Sequence, residues 1–203
     1  ARHQARLVAA AQPREDVDEV SDVDAGGVPC RIYRPAGAAP GSVIHLHGGG
    51  FVFNDIDVHD ASARRLANRS HRAVVSVDYR LAPEHPFPAA PDDVDSVLDW
   101  IDQEGVRHGL AGPLMAHGDS AGANLALVAA LRHPGRFACL ALVYPFLDPT
   151  TRFDSHHTET EGFDPQEVAW YWTQYSGETR VATRTPTSHR CSPTSSGPSP
   201  PPW

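Results

Sequence analysis

A serine flanked by glycines is the feature of this sequence whose residue types and spacing fit covalent chemistry. The segment 118–122 reads GDSAG and matches the pattern G-x-S-x-G, in which a serine stands on a sharp turn between a strand and a helix. The apolar stretch 113–116 precedes it, and the helix-like run 123–131 follows it. The glycines let neighbouring segments pass close to the turn, and the helix directs free N–H groups at the reacting carbonyl group. We therefore predict that Ser120 is a nucleophile for acyl transfer.

A second glycine-rich segment matches another requirement of a serine nucleophile. HGGG at 47–50 directly follows the apolar stretch 42–46, as an oxyanion loop follows its strand. The backbone N–H groups of Gly49, Gly50 and Ala121 are predicted to hold the negative charge that develops on the substrate oxygen. A flexible turn or a phosphate-binding loop is the alternative for a glycine run. The phosphate loop requires a lysine after its glycines, and the sequence contains no lysine.

Taken together, four motifs resemble the hormone-sensitive-lipase family of α/β-hydrolases, the carboxylesterases with an HGGG loop. They are HGGGF at 47–51, VDYRLAPEHPFPAA at 77–90, GDSAGANLA at 118–126 and YPFLD at 144–148. The motifs stand in the family's order and at its spacing, and the resemblance covers residues 17–178. It implies a serine hydrolase that cleaves a small-molecule carboxylic ester through an acyl-enzyme on Ser120. It implies no cofactor.

The resemblance also assigns roles to residues around the nucleophile. His47 is expected to fix its loop by hydrogen bonds rather than to act as a base, and Asp119 to form structural hydrogen bonds rather than to serve as the triad acid. The residues with a structural role in the two motifs are His47, Gly48, Gly118, Asp119 and Gly122. The loop under the site is expected to be held by Tyr79, Arg80, Glu84 and His85.

The other two members of a catalytic triad are not assigned. In this family the order along the chain is Ser, Asp, His, with the acid in a D-P-L-x-D segment about one hundred residues after the serine and the histidine about thirty beyond it. Only 83 residues follow Ser120, and neither segment is present. Asp148 and Asp154 lie too early to be the triad acid.

Alternating elements predict the fold class. The predicted strands are 17–23, 28–33, 42–46, 73–79, 113–116 and 138–144, and the predicted helices are 1–16, 59–70, 91–105 and 123–131. Strands that alternate with helices form a mainly parallel, doubly wound sheet. We therefore expect an α/β protein, an α/β-hydrolase with a helical cap whose last strands are missing. A sheet without those strands would expose an apolar edge.

Four segments are expected along the chain. They are an N-terminal cap segment at 1–16, an incomplete α/β-hydrolase core at 17–150, cap helices at 151–178 and a disordered tail at 179–203. The tail is rich in Pro, Ser and Thr and contains no acidic residue. A natural linker is one explanation for it, and a reading-frame slip near 177–182 is the favoured one. The residues from Val181 onward can be reverse translated with GC-rich codons. When those codons are read two bases later, they can encode a segment that resembles the corresponding segment of this family.

Two features of the expected cap contain residue types that could line a pocket or bind a metal. The apolar-aromatic run 168–172 is predicted to line an acyl pocket or to pack the cap. His156 and His157 are adjacent, and adjacent residues point in different directions, whereas metal-binding histidines on a helix stand four apart. We therefore predict no metal site.

The composition limits the kinds of partner, cellular compartment and membrane association that we expect for this chain. The 203 residues are enough for one domain, and a net charge of −8 without a basic stripe argues against nucleic acid as a partner. The three cysteines show no C-x-x-C spacing, which indicates a reducing cytoplasm rather than a disulfide framework or a zinc site. No apolar run reaches transmembrane length, and the run 7–11 is too short for a secretory signal. Oligomeric state is left open.

Three functions remain open at this point. An ester hydrolase is the first, and a peptidase on the same fold is disfavoured by the HGGG loop. A non-catalytic ligand-binding pseudo-enzyme is the second. An inactive fragment is the third, because the triad Asp and His segments are absent.

Overall fold

The computed structural model describes residues 2–150 and 164–177. The strands are β1 (Glu19–Asp24), β2 (Pro29–Arg34), β3 (Ser42–Leu46), β4 (Ala73–Val77), β5 (Leu114–Asp119) and β6 (Cys139–Val143). The helices are α1 (Arg2–Ala10), α2 (Asp60–Ser70), α3 (Ala89–Glu104), α4 (Ala121–Arg132) and α5 (Pro165–Ser176). From β2 onward, strands alternate with helices except between β2 and β3, and this order produces the expected α/β architecture.

One sheet contains all six strands, in the order β1-β2-β4-β3-β5-β6. β1 pairs with β2, and β2 with β4, in antiparallel fashion, whereas β4, β3, β5 and β6 are parallel. β3 and β5 are neighbours, with Leu46 opposite Gly118. Because the carboxyl ends of parallel strands meet at one edge of a sheet, the HGGG loop and the GDSAG turn lie side by side.

Helices cover both faces of the sheet, as a doubly wound fold requires. Alternate strand residues pack with α3 and α4 into the main core, among them Ile44, Val75 and Ala116. The intervening residues, such as Val43 and Val74, pack with α2 on the opposite face. The period of two along each strand thus separates the two apolar layers.

Two helices pack above the strand ends. In α1, Arg2 forms an ion pair with Glu84 and donates to the carbonyl oxygen of Val52. In α5, Trp172 stacks on Phe146 with ring centroids 4.7 Å apart. These contacts place α1 and α5 over the edge of the sheet that carries the glycine motifs.

The element bounds differ from the predicted ones mainly at the N-terminus. The predicted helix 1–16 ends at Ala10, because Pro13 disfavours helical backbone at the residue before it. The strand predicted at 113–116 continues to Asp119, directly before the serine. Of the expected cap helices at 151–178, the structure describes α5. Residues 151–163 and the tail lie outside the described residues.

At β6 the sheet ends, within the part of the chain that the structure describes. Its last residue, Val143, and the following Tyr144 are both exposed. None of the described helices is long and apolar enough to span a bilayer.

Candidate active site

Ser120 occupies a strained turn between β5 and α4. Its backbone has φ 52° and ψ −118°, a conformation that non-glycine residues rarely adopt and that costs on the order of 1–3 kcal/mol. The turn is held by hydrogen bonds from Ser120 N to the carbonyl oxygen of Val143 (2.9 Å) and from Phe146 N to the carbonyl oxygen of Ser120 (3.1 Å). Asn124 Nδ2 donates to the carbonyl oxygen of Phe146 (2.9 Å). The segment after β6 therefore fixes the strained serine from outside the turn.

Glycine at position 122 is required by a close backbone contact. A Cβ atom built there would overlap with the carbonyl oxygens of Leu46 and His47. The start of α4 therefore lies directly against the end of β3. This contact brings the helix N-terminus next to the HGGG loop.

The HGGG loop adopts a conformation that needs glycine. Gly49 has φ 125°, and its carbonyl oxygen accepts hydrogen bonds from Val52 N (3.0 Å) and Phe53 N (2.8 Å). Asn54 Nδ2 donates to the carbonyl oxygen of Gly48 (3.1 Å). The carbonyl groups of Gly48 and Gly49 thus accept hydrogen bonds from the segment that follows the loop.

A cavity of about 220 Å³ lies where the two motifs meet. It is lined by Gly49, Gly50, Ser120, Phe146, Asp164, Glu167, Val168 and Tyr171. Among the described residues, no group accepts a hydrogen bond from the N–H groups of Gly49, Gly50 or Ala121. The three predicted oxyanion donors are therefore unengaged beside the predicted nucleophile.

Asp119 connects the two motifs. Its Oδ1 accepts a hydrogen bond from Gly48 N (3.1 Å), and its Oδ2 lies 3.4 Å from the Tyr144 hydroxyl group. This geometry agrees with a structural role for Asp119, because its carboxylate is directed at the loop.

The His47 side chain is buried beneath the HGGG loop. Its ring stacks on Tyr79 with a centroid separation of 4.3 Å, and its Nδ1 lies 2.9 Å from the carbonyl oxygen of Gly48. Burial lowers the pKa of His47 to about 3, so the ring is neutral. The Tyr79 hydroxyl group donates to the His47 carbonyl oxygen (2.6 Å). The arrangement agrees with a loop-holding role for both residues.

The other three residues expected under the site have different partners. Arg80 forms an ion pair with Asp93 of α3 (2.7 Å), and Glu84 pairs with Arg2 of α1 (2.9 Å). His85 is exposed. Arg80 and Glu84 therefore attach the Pro-rich loop to neighbouring helices rather than to the HGGG loop itself.

Replacing Tyr79 with phenylalanine is expected to destabilise the fold by about 1–3 kcal/mol, because a buried carbonyl group loses its donor. Urea unfolding monitored by circular dichroism measures the change. Tyr144→Phe is the matched control, since Tyr144 is 70% exposed and its hydroxyl contact is long. Equal stabilities of the two variants would contradict the assigned role of Tyr79.

No described residue is assigned as the base for Ser120. Within 2–150 and 164–177, no imidazole or carboxylate forms a hydrogen bond with the Ser120 hydroxyl group. His156, His157 and Asp154 lie outside these ranges, and Asp148 lies within them. The triad Asp and His thus stay unassigned.

A cluster of histidines on the other face of the sheet was missed by sequence reasoning. His45 of β3 and His117 of β5 are register partners, and His59 precedes α2 close to both Asp119 and His45. Aligning the two strand ends would have paired His45 with His117. Nothing in the spacing of His59 indicates that it joins them.

Known proteins resemble this chain in both sequence and structure. A family model described as alpha/beta hydrolase fold matches residues 43–200. The esterase LipI of Mycobacterium tuberculosis is 44% identical over 57% of this chain and 38% of its own length. The carboxylic ester hydrolase LipN of the same organism is 34% identical over 87% of this chain and 52% of its own length.

Solved structures of esterases also resemble this chain. An esterase from Pyrobaculum calidifontis superposes with a TM-score of 0.79 at 34% identity, over 87% of this chain and 64% of that one. An esterase described as a member of the bacterial hormone-sensitive lipase family gives a TM-score of 0.77 at 27% identity, over 90% and 63%. The chain spans about half the length of the curated relatives it matches.

Proposed function

The chain belongs to the alpha/beta-hydrolase family, in its hormone-sensitive-lipase branch, and from this premise we propose that it hydrolyses carboxylic esters with Ser120 as nucleophile. One observation carries the proposal. Ser120 sits on a strained strand-to-helix turn and lines the same cavity as Gly49 and Gly50 of the HGGG loop. The names of related proteins support the class of substrate, since they include an ethyl acetate hydrolase from Pseudomonas putida.

The proposed reaction has two steps. Ser120 Oγ attacks the ester carbonyl carbon and gives its proton to a base, and the alcohol leaves with a proton returned to its oxygen. Water then attacks the acyl-enzyme and releases the acid and free Ser120. The mechanism requires a base for Ser120, and the residue that provides it is not assigned.

Stabilisation of the oxyanion is the part of the mechanism that the described residues carry. The N–H groups of Gly49, Gly50 and Ala121 would donate to the developing negative charge, and one such donor contributes about 3 kcal/mol in a serine hydrolase. Ala121 begins α4, so the positive end of the helix dipole is directed at the same point. Gly49 has φ 125°, a backbone conformation that glycine adopts readily and other residues rarely do.

The cavity favours short acyl groups. Its volume is about 220 Å³, and Phe146, Val168 and Tyr171 form its apolar wall. The Tyr171 ring lies against Gly50, where a Cβ atom would overlap with it, and its hydroxyl group donates to Glu167 (2.9 Å). Tyr171 therefore closes the cavity next to the proposed oxyanion hole.

Tyr171→Ala is expected to shift selectivity towards longer acyl chains. Each methylene group newly accommodated against apolar walls contributes about 0.8 kcal/mol, so two of them raise the ratio of kcat/KM for hexanoate over butyrate esters about tenfold. Competition between p-nitrophenyl esters measures the ratio. Trp170→Ala is the control, because Trp170 neighbours Tyr171 on α5 but does not line the cavity. A ratio that shifts equally in both variants would contradict the assignment.

Turnover of an ester beside a matched amide tests the proposed function. We expect the full chain to hydrolyse p-nitrophenyl acetate above the buffer rate and to leave p-nitroacetanilide intact. Cleavage of the amide at a comparable rate would indicate a peptidase. A folded sample without turnover would favour the non-catalytic alternative.

A further inference from the structure

A second cavity lies on the face of the sheet covered by α2, away from the proposed active site. Its volume is about 430 Å³, and its inner wall contains His45, His59, His117 and Asp119. The two strand histidines and Asp119 alternate with residues that face the main core, which places them all on the α2 side. The proposed reaction uses none of these imidazoles.

Three of these side chains converge within the range of a metal site. One ring nitrogen each of His45 and His59 and a carboxylate oxygen of Asp119 all lie within 4.8 Å of one another. The His59 Nδ1 to Asp119 Oδ1 distance is 3.7 Å. Tetrahedral Zn²⁺ ligands at about 2.0–2.1 Å from the metal are roughly 3.3 Å apart, so small side-chain rotations would complete the geometry.

Both imidazoles have a buried nitrogen without a hydrogen-bond partner. These atoms are His45 Nε2 and His59 Nδ1, and His45 is only 1% exposed. Buried polar atoms normally have partners, and these two nitrogens, which lie beside the Asp119 carboxylate, are free to accept a ligand. The cavity gives a path by which such a ligand enters.

The surrounding hydrogen bonds suit metal coordination. His45 Nδ1 and His117 Nδ1 lie 2.9 Å apart, so His45 can donate its Nδ1 proton to His117 and keep the Nε2 lone pair for a metal. His59 Nε2 lies 3.5 Å from Asn54 Nδ2, a contact at the limit of a hydrogen bond, which His59 would give up when Nδ1 binds a metal and Nε2 carries the proton. Asp119 has enough lone pairs to bind a cation while it accepts from Gly48 N.

We propose that His45, His59 and Asp119 bind a transition-metal dication such as Zn²⁺, with solvent from the cavity completing the coordination. Two imidazoles and one carboxylate are a ligand set that Zn²⁺ takes in proteins. The adjacent His156 and His157 and the spacing of the cysteines predicted no metal site, and His45, His59 and Asp119 come from separate segments without metal-binding spacing. Arg65 and Arg69 line the outer wall, where Arg69 pairs with Glu15 and Arg65 donates to Ser62.

Cobalt titration of the chelator-treated, untagged full chain tests the proposal through the visible absorption of bound Co²⁺. We expect one Co²⁺ per chain, displaced by Zn²⁺. His59→Gln and Asp119→Asn should weaken binding by more than tenfold. His117→Gln should weaken it about 10-fold, the effect typical of a residue that orients a metal ligand.

His133→Gln is the matched control, because His133 also pairs with a carboxylate, Asp95, at the surface (2.8 Å). We expect it to bind Co²⁺ like the unaltered chain. Absence of binding, or affinity that survives His59→Gln and Asp119→Asn, or affinity lost in His133→Gln, would overturn the proposal. Anomalous scattering at the zinc edge from soaked crystals of the unaltered chain needs no variant. A peak between the three side chains supports the site, and a peak elsewhere or none contradicts it.

Discussion

Gly122→Ala is expected to destabilise the protein by more than about 4 kcal/mol, although alanine is the better helix former. Gly122 lies in α4, where helix propensity alone would favour alanine by about 1 kcal/mol. The added Cβ atom, however, would overlap with the backbone carbonyl oxygen of Leu46 in β3. Neither segment can move away, because β3 is held between β4 and β5, and the turn at Ser120 is hydrogen-bonded to the end of β6. A side chain that overlaps with backbone atoms is among the changes that reduce the free energy of unfolding most.

Guanidinium unfolding followed by tryptophan fluorescence measures the loss. Gly135→Ala is the control, because Gly135 has φ 79° but open space around it, so alanine there reports backbone strain without overlap. We expect Gly135→Ala to lower the free energy of unfolding by about 1 kcal/mol. If Gly122→Ala were as stable as the unaltered protein, the close contact between α4 and β3 would be wrong.

Ser120→Ala is expected to lower kcat for ester hydrolysis by about 10³-fold or more, because the acyl-enzyme no longer forms. The fold should be unaffected, since alanine removes a single oxygen atom and keeps the backbone hydrogen bonds of Ser120 with Val143 and Phe146. Initial rates with p-nitrophenyl acetate measure the effect. Ser176→Ala is the control, because Ser176 lies at the end of α5 and does not line the cavity. Unchanged turnover in Ser120→Ala would assign the activity to another group or to a contaminant.

The sheet and the meeting of the two motifs were predictable from local signals. Apolar runs such as 42–46 and 73–77 form fully buried strands, as their composition indicates. Parallel pairing then requires that HGGG and GDSAG end at the same edge. The prediction of an α/β-hydrolase fold is confirmed by the family match and by the structural relatives.

Other features depend on contacts that the spacing of residues along the sequence does not indicate. The hydrogen bond between Asp119 and Gly48 joins segments 71 positions apart. The orphaned nitrogens of His45 and His59 arise from packing between β3 and the start of α2. Such features follow from the register of strands and the placement of helices, which hydrophobic pattern alone does not determine.

Covalent labelling with a fluorophosphonate tests most directly whether Ser120 is an activated nucleophile. The full chain is incubated with the probe beside Ser120→Ala, circular dichroism establishes that both are folded, and peptide mass spectrometry locates the label. We predict a single label on Ser120 and none in Ser120→Ala. Folded protein without label, or label on another residue in both samples, would contradict the proposed catalytic role.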